Sequence, residues 1–262
     1  MENIKSFWRL NDVHYKKYIL DNSNQNNADN EFRKLKNKFC IACTARSGSS
    51  FLTVALERYE LDVREYFNTN GFLKEVHEKH GIITVNQFAS YLVKNHSPNQ
   101  FFGVKSPYAG LAVYSALGEF PVFVKDWKVV YLKRNNLLQQ AISAYIASLT
   151  NQWTYVMKSQ YEIKEEDYEF QKILNLIEAF ARQNENWERF FSLLNVIPYR
   201  VTYEDLIKNS TLEIENIAHF IGIDISQYPE SRSHEPWIKK QYTEINRIWE
   251  ERFLEEIRLN HI

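Results

Sequence analysis

Long apolar segments are what this 262-residue chain most clearly lacks. No run of eighteen apolar residues occurs, and the N-terminus carries no basic start followed by an apolar stretch. A membrane-spanning helix needs about 20 consecutive apolar residues, and a signal peptide needs such a leader. We therefore expect no transmembrane segment and no signal peptide, and the sequence predicts a cytoplasmic protein.

Turn-forming residues and net charge are scarce as well. Seven Gly and six Pro are too few for a turn-rich all-β fold. A formal net charge of -1 produces no field that would attract nucleic acid or an anionic membrane, so neither partner is expected. With 44% hydrophobic residues the chain can still bury a substantial core. Basic residues that have a function should therefore act locally.

Only two cysteines are present, and they form the C-x-x-C pair Cys40 and Cys43. In a strand, an offset of three residues places the two thiols on opposite faces. No second C-x-x-C or Cys/His pair completes a zinc site, and a free cysteine usually behaves as a small buried hydrophobe. The pair is interpreted as core packing, and no metal site is expected.

The chain divides into a peripheral segment and one α/β domain. Residues 1–36 include an Asn-rich, polar stretch at 21–30 that is predicted to be a loop. Residues 37–262 alternate between short apolar runs and helical periodicity, which predicts a parallel β-sheet flanked by helices. The expected strands are 39–44, 101–105, 128–132 and 199–202. The expected helices are 50–59, 84–95, 107–117, 137–158, 166–194, a helix from 210 or 211 that ends at Gly222, and 240–257.

The segment that follows the first strand is typical of an anion-binding junction. Its loop, residues 46–50, has the sequence Arg-Ser-Gly-Ser-Ser and leads directly into an apolar helix. Such a loop directs backbone N–H groups and a helix N-terminus at one point, which suits a phosphate or sulfate. Gly48 permits the turn, and Arg46 adds a positive guanidinium. The G-x-x-x-x-G-K-[ST] motif is missing, which disfavours ordinary ATP or GTP hydrolysis.

A second junction follows the strand at 128–132. Arg134 stands at the strand end, and Ser143 lies nine residues further on, in the predicted helix. Ligands of parallel sheets bind beyond the carboxyl ends of the strands. The two junctions are therefore expected to meet at one edge of the sheet.

In these features residues 38–254 resemble the bacterial carbohydrate sulfotransferases typified by trehalose 2-sulfotransferase. The resemblance runs through the 44–50 loop, Glu65-Tyr66-Phe67, Gly103-Val104-Lys105, Arg134 to Ser143, Thr150 to Trp153, Tyr203 and Gln241. It implies a P-loop-like sulfotransferase fold, with 3′-phosphoadenosine-5′-phosphosulfate (PAPS) as sulfuryl donor, adenosine 3′,5′-bisphosphate as product and no metal. The donor-binding residues it implies are Arg46, Ser47, Gly48, Ser49, Ser50, Phe51, Arg134, Ser143, Lys240 and Gln241.

Three residues are predicted to act in catalysis. The resemblance implies that Glu65 is the general base, since an acceptor hydroxyl must lose its proton as the new bond to sulfur forms. Lys105 ends a predicted strand and, with Arg46, is placed to stabilise negative charge on the transferring group. Trp153 is the aromatic residue we favour as a platform for the acceptor. That acceptor is expected to be a hydroxyl-bearing sugar or glycolipid.

The sequence departs from the family pattern at several positions, and these keep an alternative open. Val63, Ser106 to Tyr108 and Asn136 replace residues that are usual in the family. The alternative is a non-catalytic nucleotide-binding or interaction protein on the same fold. A degenerate P-loop kinase is the least favoured hypothesis, because the Walker lysine is missing. The acceptor's identity and the oligomeric state, a homodimer included, stay open.

Overall fold

The computed structural model describes residues 28–68, 71–82, 85–108, 127–154, 157–228 and 242–259. Within them lies a five-stranded sheet in the order β2-β3-β1-β4-β5, in which all neighbouring strands are parallel. The strands are β1 (Asn37–Cys43), β2 (Val63–Arg64), β3 (Phe101–Pro107), β4 (Lys128–Lys133) and β5 (Tyr199–Thr202). The prediction of a parallel sheet flanked by helices is thus confirmed.

Helices connect the strands and cover both faces of the sheet. In chain order they are α1 (Ala28–Arg33), α2 (Ser49–Glu57), α3 (Phe72–His80), α4 (Val85–Asn95), α5 (Leu137–Thr150), α6 (Phe170–Leu194), α7 (Tyr203–Lys208), α8 (Ser210–Ile221) and α9 (Glu244–Leu259). In the described ranges, no helix is long and apolar enough to cross a membrane.

The two faces of β1 belong to different clusters of the core. Cys40 packs on one face with Phe102 and Trp187, and Cys43 packs on the other with Leu52. Both thiols are buried and free, which confirms that the C-x-x-C pair is divided between the faces. Burial raises the pKa of both thiols, that of Cys43 to about 12. A third cluster joins α5, α6 and α9 around the fully buried Trp249.

The N-terminal residues that the structure describes pack on this body. Phe32 lies 5.0 Å from Phe102 and 6.0 Å from Trp127, measured between ring centroids, and is buried. Helix α1 begins at Ala28, so the last three residues of the predicted loop at 21–30 are helical instead. The reason is that α1 places Phe32 on its core-facing side, and this burial outweighs the polar composition of the residues before it. The domain boundary at residue 36 stays a prediction.

Several boundaries differ from the sequence prediction. The helix predicted over 137–158 ends at Thr150, because Asn151 takes a left-handed conformation (φ 54°) that closes it. The helix predicted over 166–194 begins at Phe170, after a short 3₁₀ turn at Glu165–Asp167. The sequence prediction missed α1, β2, α3 and α7, none of which is longer than nine residues. Most of the helix predicted over 107–117 lies outside the described residues; its first residue, Pro107, ends β3.

Candidate active site

The loop between β1 and α2 forms a tight turn with two left-handed residues. Arg46 has φ 61° and Gly48 has φ 91°. The hydroxyl of Ser47 donates to the carbonyl of Thr44 at 2.8 Å and closes the turn. Helix α2 then begins at Ser49, and no side chain among the described residues caps its N-terminus. Its first N–H groups are therefore available to an anion, as the sequence predicts.

Gly48 is required at its position both for its backbone conformation and for space. A Cβ atom there would lie 2.6 Å from Cδ2 of Tyr203, far inside van der Waals contact. The same ring also contacts Arg134, whose Cζ lies 4.6 Å from the ring centroid. Tyr203 thus fixes the spacing between the turn and Arg134.

Arg134 follows β4 and is only 8% exposed. Its Nη2 donates to Oε1 of Gln139 at 2.9 Å, while its buried Nε has no hydrogen-bond partner among the described residues. Burial lowers the pKa of this guanidinium. A buried donor left without a partner is costly, and an anionic ligand would satisfy it. Arg134 therefore fits a phosphate-binding role.

Ser143 lies against Arg46. Its Oγ accepts from Nε of Arg46 at 2.9 Å, and Nη1 of Arg46 donates to the carbonyl of Trp153 at 2.7 Å. Burial lowers the pKa of Arg46, and the nearby positive charge of Arg134 lowers it further. Two arginines that repel each other in a partly buried place are typical of an anion site. The structure thus gathers Arg46, Arg134 and Ser143 at one edge of the sheet.

Glu65 and Lys105 form an ion pair beside this edge. Their side-chain N–O distance is 2.9 Å, and the side chains are 32% and 12% exposed. The pairing follows from the register, since Arg64 of β2 lies opposite Val104 of β3 and the next residues face each other. The Lys105 ammonium also opposes the burial that raises the pKa of Cys43, which places the pair near the end of β1. The predicted base and the predicted charge stabiliser are therefore in contact.

Two supporting residues were missed by the sequence reasoning. Gln140 is fully buried, and its Nε2 donates to Oγ1 of Thr44 at 2.7 Å and to the carbonyl of Ala45 at 2.6 Å. Glu204 accepts from the backbone N–H groups of Asn135 and Asn136 at 3.1 and 3.2 Å. Gln140 stands among apolar residues in the first part of α5, and a polar side chain in such a place indicates a buried hydrogen-bonding role.

The other predicted donor residues divide into three kinds. Ser49 is largely buried and contacts the thiol of Cys43. The side chain of Phe51 packs against the core, and its backbone N–H belongs to the uncapped first turn of α2. Lys240 and Gln241 lie outside the described residues. No group of three His, Cys, Asp or Glu side chains that could hold a metal occurs within the described part of the chain.

This arrangement defines a class of protein: a parallel α/β fold with two neighbouring arginines at a candidate anion site and a carboxylate–lysine pair beside it. The profile of the Stf0 sulphotransferase family matches residues 96–256, more than half of the chain. The chain belongs to this family, and sulfuryl transfer is the general chemistry that membership supports.

Two solved structures are similar at low identity. One is a sulfotransferase from Alicyclobacillus acidocaldarius, with 15% identity and a TM-score of 0.45 over 85% of this chain and 93% of that one. The other is the sulfotransferase domain from the curacin biosynthetic pathway, also with 15% identity and a TM-score of 0.45, over 83% and 97% of the two chains. No curated protein gives a significant match.

Proposed function

We propose that this protein transfers a sulfuryl group from PAPS to a hydroxyl of a carbohydrate or glycoconjugate. The observation that carries the proposal is the juxtaposition of Arg46 and Arg134 around a glycine turn, next to the Glu65–Lys105 pair. An anionic donor and a neutral hydroxyl acceptor need these two kinds of site side by side.

The donor's two anionic groups are assigned to separate places. The N-terminus of α2, with Ser47 to Phe51 around it, would hold the 5′-phosphosulfate. Arg134 and Ser143 would hold the 3′-phosphate, which supplies a partner for the buried Nε of Arg134. Lys240 and Gln241 are proposed to close over the nucleotide. PAPS supplies the activated sulfuryl group and leaves as adenosine 3′,5′-bisphosphate.

Glu65 is proposed as the base. Its carboxylate accepts the proton of the acceptor hydroxyl while the hydroxyl oxygen bonds to sulfur, and the bond from sulfur to the phosphate oxygen breaks. Lys105, held 2.9 Å from Glu65, and Arg46 stabilise negative charge on the sulfuryl and leaving groups. The step balances, because the proton moves to Glu65 and the electron pair of the broken sulfur–oxygen bond leaves on the phosphate oxygen.

Trp153 is proposed as a platform for the acceptor. Its side chain is 42% exposed, although it is large and apolar. Its backbone carbonyl is held by Arg46, so the indole belongs to a segment tied to the donor loop. Exposed indoles of this kind stack on the apolar faces of ring-shaped ligands, and this supports a sugar acceptor.

Ligand-dependent thermal unfolding is the first test of the donor. A ligand at a hundredfold excess over its Kd stabilises the folded state by about 2.7 kcal/mol, which raises the Tm by several degrees. We expect this shift with adenosine 3′,5′-bisphosphate and not with ADP or ATP–Mg²⁺. A shift with ATP–Mg²⁺ alone would indicate a kinase instead. Binding of the bisphosphate without transfer to any hydroxyl would support the non-catalytic alternative.

Glu65→Gln tests the base. The variant keeps the size and a hydrogen-bonding group but does not accept a proton, so turnover should fall by about 10²–10⁴-fold while the bisphosphate still binds. Glu57→Gln, on the exposed last turn of α2, is the matched control and should keep full turnover. Full turnover in Glu65→Gln would remove Glu65 from the mechanism.

A further inference from the structure

A hydrogen-bonded relay connects Arg134 to helix α9. Nη2 of Arg134 donates to Oε1 of Gln139 at 2.9 Å, and Nε2 of Gln139 donates to both carboxylate oxygens of Glu250 at 3.1 Å. The hydroxyl of Tyr242 donates to Oε2 of Glu250 at 3.1 Å. A neutral amide therefore separates the guanidinium from the carboxylate.

The two helices that carry the relay are packed together. Gln139 stands in the first turn of α5, where its N–H is capped by Oδ1 of Asn136 at 2.9 Å. Trp249, the residue before Glu250, is fully buried, and its ring lies 5.5 Å from that of Tyr145 on α5. The relay thus joins two elements of one core, which gives its side chains a fixed geometry.

Neither nearby carboxylate forms an ion pair with Arg134 among the described residues. Glu250 is bound through Gln139, and Glu204 is bound to the backbone at Asn135 and Asn136. Both charges still oppose the burial that lowers the pKa of Arg134. The two carboxylates therefore stabilise the charge of the Arg134 guanidinium without accepting hydrogen bonds from its N–H groups.

The side chain at position 139 decides whether the positive charge of Arg134 stays available to a ligand. A carboxylate at position 139 would orient Arg134 as well as the amide does, but it would neutralise the guanidinium directly. An incoming phosphate would then compete with that ion pair. A neutral amide fixes the direction of one N–H and leaves the positive charge to the ligand.

We propose that Gln139 and Glu250 are positioning residues of the donor site, which orient Arg134 for the 3′-phosphate while they keep the carboxylate one amide away from it. The inference rests on the proposed function, because it takes Arg134 as the 3′-phosphate ligand.

The sharpest test exchanges the two residues in the double variant Gln139→Glu/Glu250→Gln. Each hydrogen bond of the relay has a counterpart in this variant, and the net charge is unchanged, but the carboxylate now contacts Arg134. We expect the Kd for adenosine 3′,5′-bisphosphate to rise at least about tenfold, the lower end for a lost hydrogen bond to a charged group. The Kd for adenosine 5′-monophosphate, which lacks the 3′-phosphate, should stay the same. In a sulfuryl-transfer assay, the double variant should show a higher KM for PAPS and an unchanged kcat.

Single variants separate positioning from folding. Gln139→Glu alone places two carboxylates together and should lower the Tm, and the added Glu250→Gln should restore the Tm without restoring bisphosphate affinity. Glu251→Gln removes a charge from the exposed side of the same helix and is the matched control for Glu250→Gln. It should leave both Kd values unchanged.

Three results would overturn the inference: unchanged bisphosphate affinity in the folded double variant, an equal loss of affinity for both nucleotides, or recovery of affinity together with stability. Each would mean that the relay is only structural. If the unmodified protein binds no bisphosphate, the proposed function fails first. If the unmodified protein binds it and the double variant binds it equally, only the positioning role fails.

Discussion

Substituting Gly48, in the loop between β1 and α2, gives a prediction whose size follows from two structural features. At Gly48, φ is 91°, and a Cβ would lie 2.6 Å from Cδ2 and 3.3 Å from Cε2 of Tyr203. At Gly81, which closes α3, φ is 63° and a Cβ would meet no atom within 4 Å. Gly81→Ala therefore tests the backbone effect alone, and Gly48→Ala adds a steric overlap to it.

The two contributions can be estimated separately. A left-handed conformation costs an alanine about 1–2 kcal/mol. Overpacking a well-filled place adds about 1–3 kcal/mol, and the atoms that collide here belong to a rigid ring. We therefore expect the free energy of unfolding to fall by about 1–2 kcal/mol in Gly81→Ala and by about 2–5 kcal/mol in Gly48→Ala. At roughly 2–4 °C per kcal/mol, the two variants should differ clearly in Tm.

Urea unfolding and bisphosphate titration together measure both consequences. If Tyr203 moves to relieve the overlap, it leaves the guanidinium of Arg134, so Gly48→Ala should also bind adenosine 3′,5′-bisphosphate more weakly. Gly81→Ala should bind it normally. Equal destabilisation in the two variants would refute the argument, because it would show that Tyr203 yields at no cost.

Two further predictions concern groups outside the loop. Because burial raises the pKa of Cys40 and Cys43, both thiols should be protonated at pH 8. They should react with a disulfide reagent only as fast as the protein opens, and at once when the protein is unfolded in guanidinium. Rapid labelling of the folded protein would contradict this prediction. Burial opposes ionisation of Asp62, but hydrogen bonds from His96 (2.7 Å) and Arg64 (2.6 Å) overcome it and lower its pKa. A carboxyl whose pKa is lower in the folded than in the unfolded protein stabilises the fold at any pH above its unfolded pKa. This stabilisation is lost as the pH falls through the folded pKa. Asp62→Asn should therefore lower the free energy of unfolding by about 1 kcal/mol at pH 7 and by less below pH ~4. If urea unfolding gives the same difference between the two proteins at both pH values, the prediction is refuted.

The sheet was largely predictable because its inner strands are buried on both faces. A strand such as Lys128–Lys133 appears in the sequence as a short continuous apolar run, and it was found within one residue. β2 was missed because it has two residues and lies at the edge of the sheet. The end of α5 was missed because Asn151 stops the helix by its backbone conformation, while the sequence around it continues to look helical.

The candidate site was predictable as a set of residues and less so as a set of contacts. The predicted strand ends place Arg46, Lys105 and Arg134 at one edge, since carboxyl ends of parallel strands share it, although β3 continues two residues past Lys105. The Glu65–Lys105 contact depends on how β2 pairs with β3, and a two-residue strand carries no register in its sequence. Contacts such as that of Gln140 with Ala45 join residues 95 positions apart and leave no local pattern.

The position of Ser143 shows what the missing long-range information changes. Sequence spacing relates Ser143 to Arg134, but α5 begins at Leu137 and turns its 140/143 face toward the β1–α2 loop. Gln140 therefore contacts Ala45, and Ser143, three residues later on the same face, contacts Arg46. The two arginines consequently differ: Arg46 uses its Nε and Nη1 to tie the loop to α5 and to Trp153, whereas Arg134 keeps a buried Nε without a partner in the described structure. An anion at Arg134 would therefore satisfy a buried donor, and Arg46 ties the β1–α2 loop to the segment that carries the proposed acceptor platform.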